Sequence, residues 1–374
     1  MVVWIQNPFD NLPCEGHRKQ RYWMMAEAFV RAGHRVVYWT SDFSHAKKAR
    51  RDIRTEEKGI EVRQIPTLPY AKNVSIRRVR SHRAYAREWM RLAQGTDAPR
   101  PDLVVSSMPT VSAAGAALKI GRELGARVVI DVQDAWPETF ERLAPKKLRW
   151  LARALLSPMR AKARRIYREA DLVTGVCDRY RELTGRADYH RAYLGIESGT
   201  VRTPAARNAT GRIRLVYSGN MGRTYDLKTL TEVVAANEDM ELDVAGFGAE
   251  VYCPPDASGR IRFHGLLTAA ELEDLFAQCE IGVIPMADES WVGLPNKVFD
   301  YAAAGLGIVS SLGGESAALL EKYQCGKRYR PGDGESLATA IRGAVALERG
   351  ASRKMCEAEF DATRIYDAYV RRVT

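Results

Sequence analysis

The segment that decides the fold runs from residue 291 to residue 315 and reads WVGLPNKVFDYAAAGLGIVSSLGGE. Apolar residues recur at near-helical spacing from Val298 to Ala302, and Gly305 is placed to end the helix. An apolar run begins at residue 307 and stops before the glycine pair at 313–314. This order predicts a short amphipathic helix followed by a buried strand and a second glycine turn.

Two polar residues near the start of this helix suit a nucleotide diphosphate. Lys297 lies at the positive end of the helix dipole, where a cation is unfavourable unless an anion is bound there too. Asp300 follows one turn later among apolar neighbours. The amine would bind phosphate and the carboxylate would bind ribose hydroxyls. A surface helix with an incidental lysine and aspartate fits the same local pattern.

The composition is that of an ordinary globular chain. The 374 residues are 46% hydrophobic and 28% charged, with a net charge of +11, which predicts two or three folded domains. No apolar run is long enough to span a membrane, and no secretory signal pattern is visible, so we expect a cytoplasmic protein.

The six cysteines lack zinc-binding spacing, and we expect neither a metal nor a cofactor. The positive charge fits a solvated surface or an anionic ligand, lipid or nucleic acid.

Strand and helix patterns alternate twice along the chain. The segment 198–209 contains few large apolar residues, and we interpret it as a linker. The sequence therefore predicts an α/β protein with two doubly wound, Rossmann-like domains facing a cleft, residues 1–197 and 210–354. A final helix is predicted at 355–374.

A glycine-rich loop between a strand and a helix is predicted at 218–223, SGNMGR. Glycines there let backbone amides approach an anion, and Arg223 adds a permanently charged, forked donor. Lys228 would add a second cation or would point to solvent. The loop lacks the spacing of a dinucleotide fingerprint and of a P-loop, which argues against NAD binding and against ATP hydrolysis.

Other polar residues also follow predicted strands. Glu15 and Gly16 lie in the first loop, and Asp134 and Glu138 lie in the loop 131–140, DVQDAWPETF. One of these two carboxylates would orient a substrate hydroxyl or act as a base, although an aspartate that caps the turn fits equally well. His264 would lie near the nucleotide base.

The predicted helix from Leu148 to Ala170 is basic and amphipathic and carries Trp150. This pattern is typical of peripheral contact with an anionic membrane, here the inner face of the plasma membrane. A solvated basic face over a buried apolar face explains it at least as well. We find no nucleic-acid-binding motif and expect no nucleic-acid partner.

The motifs together resemble those of the retaining GT-B glycosyltransferases of family 4. The resemblance rests on EGHRKQRYWMMAEAFVRAGHRVVYWTS at 15–41, DVQDAWPE at 131–138, YSGNMGRTYDLKTL at 217–230 and GLPNKVFDYAAAGLGIVSSLGGE at 293–315. It implies the GT-B architecture, with the last helix crossing back to the first domain. It also implies metal-independent transfer of a sugar, with retention, from a nucleotide-diphosphate donor to an acceptor hydroxyl.

The residues and the resemblance together predict a set of site residues. The predicted catalytic residues are Arg223, Lys297 and Asp134. The predicted donor-binding residues are Gly16, Gly219, Asn220, Gly222, Lys228, Gly246, His264, Asn296 and Asp300. The predicted residues on the acceptor or sugar side are Glu15, Gln133 and Glu138. The expected acceptor is a glycan or a lipid-linked molecule, as in cell-envelope, capsular or exopolysaccharide synthesis.

Two departures from the family pattern leave alternatives open. Val292 stands where the family has a sugar-binding glutamate, and Gln133 stands where it often has a histidine. These residues are the reason to keep a catalytically silent protein that binds nucleotide sugars as an alternative. A sugar-nucleotide epimerase of the same fold is a further alternative.

Overall fold

The structure is a computed structural model of the whole chain. It describes residues 1–16, 18–53, 55–72, 75–95, 97–197, 211–222, 224–248, 259–287 and 292–374. The predicted linker at 198–209 lies outside these residues. The chain divides into two compact units, which we call unit 1, Met1–Gly195 with Ala362–Thr374, and unit 2, Ile196–Asp361.

Unit 1 is built on an eight-stranded sheet with the order β3-β4-β2-β1-β5-β6-β7-β8. Its strands are β1 (Val2–Gln6), β2 (Arg35–Ser41), β3 (Glu56–Glu57), β4 (Ile60–Ile65), β5 (Leu103–Met108), β6 (Arg127–Val132), β7 (Leu172–Gly175) and β8 (His190–Arg191). Its helices in the first part of the chain are α1 (Arg21–Arg31), α2 (Ile76–Gly95), α3 (Val111–Leu124), α4 (Glu138–Leu143), α5 (Arg149–Glu169) and α6 (Arg179–Thr184). All strand pairs are parallel except β3 with β4.

Unit 2 is built on a fully parallel sheet of six strands with the order β11-β10-β9-β12-β13-β14. The strands are β9 (Ile213–Ser218), β10 (Met240–Ala245), β11 (Ile261–Gly265), β12 (Ile281–Ile284), β13 (Gly307–Ser310) and β14 (Gly326–Arg328). The described helices are α7 (Leu227–Ala236), α8 (Ala269–Ala277), α9 (Asn296–Ala303), α10 (Gly314–Lys322), α11 (Gly334–Val345) and α12 (Ala351–Glu359).

The fold class agrees with the sequence pattern, because the largely apolar runs of β6 and β12 form strands that are buried on both faces of their sheets. Polar residues at the helix starts support the boundaries. Thr110 accepts a hydrogen bond from the Ala113 amide at the start of α3, and Asp226 accepts one from the Thr229 amide at the start of α7.

The strand order places the site. In each unit the order reverses direction next to the first strand, between β1 and β5 in unit 1 and between β9 and β12 in unit 2. Open parallel sheets bind ligands at the carboxyl ends of the strands at such a reversal. Functional side chains are therefore expected in the loops after these strands.

The carboxyl-terminal segment differs from the single helix predicted at 355–374. It forms α12 and a separate helix, α13 (Ala362–Val373), and only α13 belongs to unit 1. The break follows from the contacts of Phe360, whose ring packs on Phe299 at 4.5 Å and whose carbonyl accepts a hydrogen bond from the Ile196 amide. In the described part of the chain, no helix is both long enough and apolar enough to cross a membrane.

Candidate functional site

The carboxyl end of β9 is held against α9 by one tyrosine. The Ser218 amide donates to the hydroxyl of Tyr301 at 3.0 Å. The Tyr301 ring lies over Gly282 in β12, where a β-carbon would come within 2.3 Å of the ring. Glycine at 282 therefore lets α9 pack closely across β9 and β12, and this fixes the position of its first turn.

The loops after β9 and β10 pack backbone against backbone. The Gly219 amide donates to the Ala245 carbonyl at 2.8 Å, and the Met221 amide donates to the Phe247 carbonyl at 2.9 Å. Gly219 and Gly246 have φ angles of 121° and 134°, which side chains rarely adopt. A β-carbon on Gly246 would lie 2.0 Å from the Gly219 carbonyl oxygen. Both glycines are therefore required for this close approach.

Lys297 points into this loop region from the first turn of α9. Its amine lies 4.0 Å from the ring centroid of Tyr225 and 4.7 Å from that of Tyr217. It also lies 3.0 Å from the position of a β-carbon built on Gly219. Only 6% of the residue is exposed. We call this amine, with the two rings and the Gly219 backbone, the Lys297 pocket.

The Lys297 amine is a buried cation that has no acidic hydrogen-bond partner among the described residues. Within the residues that the structure describes, it forms no ion pair and no hydrogen bond, and its contacts are the faces of the two rings. Burial lowers the pKa of Lys297 to about 8, although the negative charge of Asp300 opposes the change. A buried charge of this kind is costly unless a ligand pairs with it. At the start of a helix, the ligand that fits is an anion.

The other predicted donor-binding residues of unit 2 have different surroundings. Asn296 is exposed at the start of α9, and Asp300 is partly buried one turn later. The Asn220 carbonyl accepts a hydrogen bond from the Tyr217 hydroxyl at 2.7 Å, which fixes the loop beneath Lys297. Arg223 lies outside the described residues. Lys228 is exposed and lies 3.7 Å from Glu232 on its own helix, which agrees with the solvent-facing alternative.

His264 belongs to a charged cluster that spans β9, β10 and β11. Its Nε2 lies 2.7 Å from the Asp243 carboxylate, which also accepts hydrogen bonds from Arg214 and Arg262. Burial would raise the pKa of Asp243, but these hydrogen bonds lower it to about 2. The cluster accounts for one ring nitrogen of His264, and a contact with the nucleotide base stays a prediction.

In unit 1 a buried ion pair supports the loop after β6. Arg21 donates two hydrogen bonds to Asp131 at 2.8 Å, and the hydroxyls of Tyr22 and Thr174 donate to the same carboxylate. Burial opposes ionisation of Asp131, but the charge of Arg21 keeps the pKa of Asp131 low. Asp131 is thus a structural residue that joins α1, β6 and β7.

Asp134 and Glu138 follow this support. Asp134 accepts hydrogen bonds from the Trp136 indole at 3.0 Å and from the Thr139 hydroxyl at 3.1 Å, which agrees with the turn-capping alternative. Burial raises the pKa of Asp134. Glu138 pairs with Arg160 at 3.1 Å. Its other carboxylate oxygen is buried and has no hydrogen-bond partner in the described part of the chain.

The remaining predicted residues of unit 1 lie in two loops. The side chain of Glu15 is buried against Arg51 at 2.5 Å and accepts a hydrogen bond from the Leu12 amide, so its carboxylate holds the first loop together. Gly16 ends the short helical turn there with a φ of 79°. Gln133 is partly buried, and its backbone bonds Met108 and Tyr180.

A cluster that the sequence did not predict lies at the same edge of unit 1. His45 and the Tyr70 hydroxyl are 2.6 Å apart, and Arg78 lies over the Trp136 ring at 4.9 Å and bonds His82 at 3.4 Å. Burial lowers the pKa of His45 to about 4 and that of His82 to about 3, so both rings are neutral at pH 7. We call these five residues the aromatic–arginine cluster. The five residues are far apart in the sequence, so the sequence does not predict the cluster. The only sequence signal is the spacing of Arg78 and His82, which places them on one face of a helix.

Comparisons with known proteins agree with this architecture. Residues 19–192 match the family described as glycosyl transferase 4-like domain, and residues 212–346 match the family described as glycosyl transferases group 1. A comparison with curated protein sequences finds no match.

Solved structures with the same fold cover almost all of the chain. Sucrose-phosphate synthase from Thermosynechococcus elongatus is 13% identical, with a TM-score of 0.73 over 99% of this chain and 98% of that one. HepE from Anabaena, in complex with UDP, is 13% identical, with a TM-score of 0.68 over 99% of this chain and 98% of that one. The catalytic domain of starch synthase IV from Arabidopsis thaliana, bound to ADP and acarbose, is 12% identical, with a TM-score of 0.65 over 100% of this chain and 99% of that one.

At identities of 12–13%, the structural matches establish the fold alone. The two family matches lie one in each unit and together cover most of the chain. The chain belongs to the GT-B-fold glycosyltransferases that join a glycosyl transferase 4-like domain to a glycosyl transferases group 1 domain.

Proposed function

We propose that the protein transfers a sugar from a nucleotide-diphosphate donor to an acceptor hydroxyl, with retention at the anomeric carbon and without a metal or cofactor. The observation that carries the proposal is the buried Lys297 amine, which has no acidic partner in the described part of unit 2. The donor diphosphate supplies the missing negative charge. The backbone amide of Gly222 and the side chain of Arg223 would add further donors.

The proposed chemistry is stabilisation of the departing diphosphate. As the bond between the anomeric carbon and the phosphate oxygen breaks, negative charge accumulates on the phosphate oxygens. A preorganised cation in a site with little water stabilises that charge strongly. Because the diphosphate pairs with Lys297, binding keeps its amine protonated. Asp300 is suited to bind ribose hydroxyls, and no protein nucleophile is required.

We place the acceptor at the carboxyl edge of the sheet in unit 1. Glu138 offers a buried carboxylate oxygen without a hydrogen-bond partner in the described residues, which suits a sugar hydroxyl. The aromatic–arginine cluster, which includes Tyr70 and Arg78, offers ring faces and a cation nearby in the same unit. A glycan or lipid-linked acceptor fits these groups, as in synthesis of cell-envelope, capsular or exopolysaccharide glycans. The protein would then work at an anionic membrane surface.

Donor binding tests the proposal directly. The full chain is titrated calorimetrically with UDP, ADP, GDP and their glucose conjugates. We expect at least one nucleotide to bind and the variant Lys297→Met to lose that binding. Lys354→Met is the matched control, since Lys354 is exposed and pairs with Glu348 at 2.9 Å in the same unit. Equal affinity in the Lys297 variant and the wild type would exclude this site.

Transfer is tested separately with a panel of donors and acceptors. Arg223→Ala should remove most of the activity while the fold is kept, and the anomeric proton coupling of the product should show retention. An inverted product would contradict the proposed stereochemistry. Binding without transfer or hydrolysis would favour a silent binding protein, and an isomerised donor without acceptor would favour an epimerase.

A further inference from the structure

A cavity of about 650 Å³ lies between α2, α3 and α5 in unit 1. Basic side chains surround it, namely Arg80, Arg83, Arg87, Lys119 and Lys162. Its apolar lining includes Ala86, Met90 and Ala116, and none of the lining residues is acidic. We call this cavity and its basic side chains the cationic groove.

The described residues of unit 1 do not pair with the positive charges of the groove. In the described part of the chain, none of its five basic side chains forms an ion pair or a hydrogen bond. Burial, together with the charges of Lys119 and Arg83, lowers the pKa of Lys162. The cations therefore repel one another across the groove, and a bound anion would relieve that repulsion.

The stem of Lys162 is held across α3 at a glycine. A β-carbon built on Gly115 would lie 3.1 Å from Lys162 Cε. Lys162 is thus placed over the groove by close packing between α3 and α5. The five basic residues nevertheless remain exposed, so the groove presents solvated charges at the surface of unit 1.

The outer face of α5 differs from the groove. The sequence pattern predicted that the basic side chains of this helix contact an anionic membrane. Several of these side chains instead form ion pairs with glutamates of unit 1. Arg153 pairs with Glu141 at 2.7 Å, and Arg165 pairs with Glu169 at 2.6 Å. The first turns of α5 also expose apolar side chains, since Trp150 is 69% and Leu155 is 73% exposed.

Exposed apolar residues also lie at the start of α2. Ile76 is 74% exposed, and Leu68, which precedes the helix and lines the groove, is 50% exposed. Since α2 follows β4 and α5 leads into β7, both helices begin toward the carboxyl edge of the sheet. Apolar side chains therefore accompany the cations on both flanking helices.

We propose that the cationic groove binds the phosphate headgroup of an anionic phospholipid while the exposed apolar residues of α2 and α5 enter the membrane interface. Charge complementarity favours an anion, and the apolar side chains favour a membrane over a nucleic acid. The inference rests on the membrane contact proposed above and does not depend on sugar transfer.

Vesicle co-sedimentation of the full chain tests this inference. One set of vesicles contains phosphatidylcholine alone, and the other contains phosphatidylcholine with phosphatidylglycerol. The variant Arg83→Gln/Lys119→Gln/Lys162→Gln removes three groove charges. The control Arg122→Gln/Arg153→Gln/Arg165→Gln removes three charges that are paired with Glu141 or Glu169. Donor binding and thermal unfolding of both variants verify that unit 2 and the fold are intact.

We expect binding to the phosphatidylglycerol vesicles only, with a loss on the order of 100-fold in the groove variant and less than about threefold in the control. Equal losses in the two variants would show that vesicle binding depends only on net charge. That result would contradict a headgroup site in the groove. Displacement from vesicles by millimolar inorganic phosphate would assign the groove to a soluble phosphate instead. Tighter binding to single-stranded RNA, lost in the same variant, would overturn the membrane assignment. None of these outcomes alters the test of donor binding in unit 2.

Discussion

The Lys297 pocket in unit 2 and the cationic groove in unit 1 both present positive charge that the described protein does not neutralise, but they do so in opposite surroundings. Lys297 is a single amine, 6% exposed, packed against two tyrosine rings. The groove holds five basic side chains around a cavity of about 650 Å³. One site places a charge where water is excluded, and the other places several charges where water enters.

This difference separates selective binding from general attraction. A desolvated cation gains a large free energy when it pairs with a well-placed anion, because little solvent screens the interaction. Exposed cations gain less per pair, and salt weakens them further. Lys297 is therefore suited to recognise one diphosphate in one position. The groove is suited to hold this protein near a negatively charged membrane surface.

The largest expected effect follows from removal of the buried amine. Lys297→Met should lower the rate of transfer by roughly 100-fold to 1000-fold, as does loss of a charge-stabilising group in other enzymes. It should also raise the free energy of unfolding without ligand by about 1 kcal/mol, because the variant no longer buries a cation that lacks an acidic partner among the described residues. Steady-state kinetics and denaturant unfolding measure the two quantities. A variant that is both less active and less stable would indicate a structural role for Lys297.

Salt should separate the two sites clearly. Between low and physiological salt, we expect vesicle binding through the groove to weaken by about 10-fold to 100-fold, since its charges are solvated. Donor affinity should change less than about threefold over the same range, because Lys297 is shielded from solvent. Co-sedimentation and calorimetry at matched ionic strengths test both expectations. Equal salt dependence would remove the distinction between the sites.

A glycine substitution tests how closely the backbone approaches Lys297. Gly219→Ala should lower the free energy of unfolding by about 1 to 3 kcal/mol, because the residue has a φ of 121°. It should also weaken donor binding, since the new β-carbon would lie 3.0 Å from the Lys297 amine. Gly332→Ala is the matched control in unit 2, with a φ of 73° and no atom within 4 Å of its β-carbon. Weaker donor binding in both variants would attribute the effect to backbone strain alone.

The sequence predicted the features that depend on neighbouring residues. Apolar runs and glycine turns predicted the alternating strands and helices, and a lysine at a helix start predicted an anion site at Lys297. Features that depend on distant residues were not predicted. The ion pair of Arg21 and Asp131 joins residues 110 positions apart. The local sequence pattern did not distinguish the structural carboxylate of Asp131 from the candidate catalytic carboxylate of Asp134.

The basic helix α5 illustrates the same limit. Its cations and Trp150 predicted a charged membrane surface, but the pairing of Arg153 with Glu141 depends on how α4 packs on α5. The groove, in contrast, combines residues of three helices. The number of basic residues along one helix therefore did not predict where positive charge stays available to a ligand after folding.

The pH dependence of donor binding gives the smallest and most specific effect. Burial lowers the pKa of Lys297 to about 8, so the free protein loses this proton between pH 7 and pH 9. The diphosphate binds the protonated amine, so its dissociation constant should rise by about tenfold over this range. Without ligand the sign is reversed. The unfolded chain holds the proton more tightly than the folded protein, so the free energy of unfolding should rise with pH from about 8 toward the pKa of ordinary lysine.

Lys297→Arg separates this titration from ionisation of the nucleotide. A guanidinium stays charged throughout the range, so any change that remains in the variant belongs to the ligand or to other groups. Calorimetric titration with UDP or ADP at pH 7, 8 and 9 should therefore give a steeper curve for the wild type than for the variant. Parallel curves would mean that the amine which titrates near pH 8 does not contact the diphosphate. The cationic groove would then be the only candidate anion site that these tests leave in the described part of the chain.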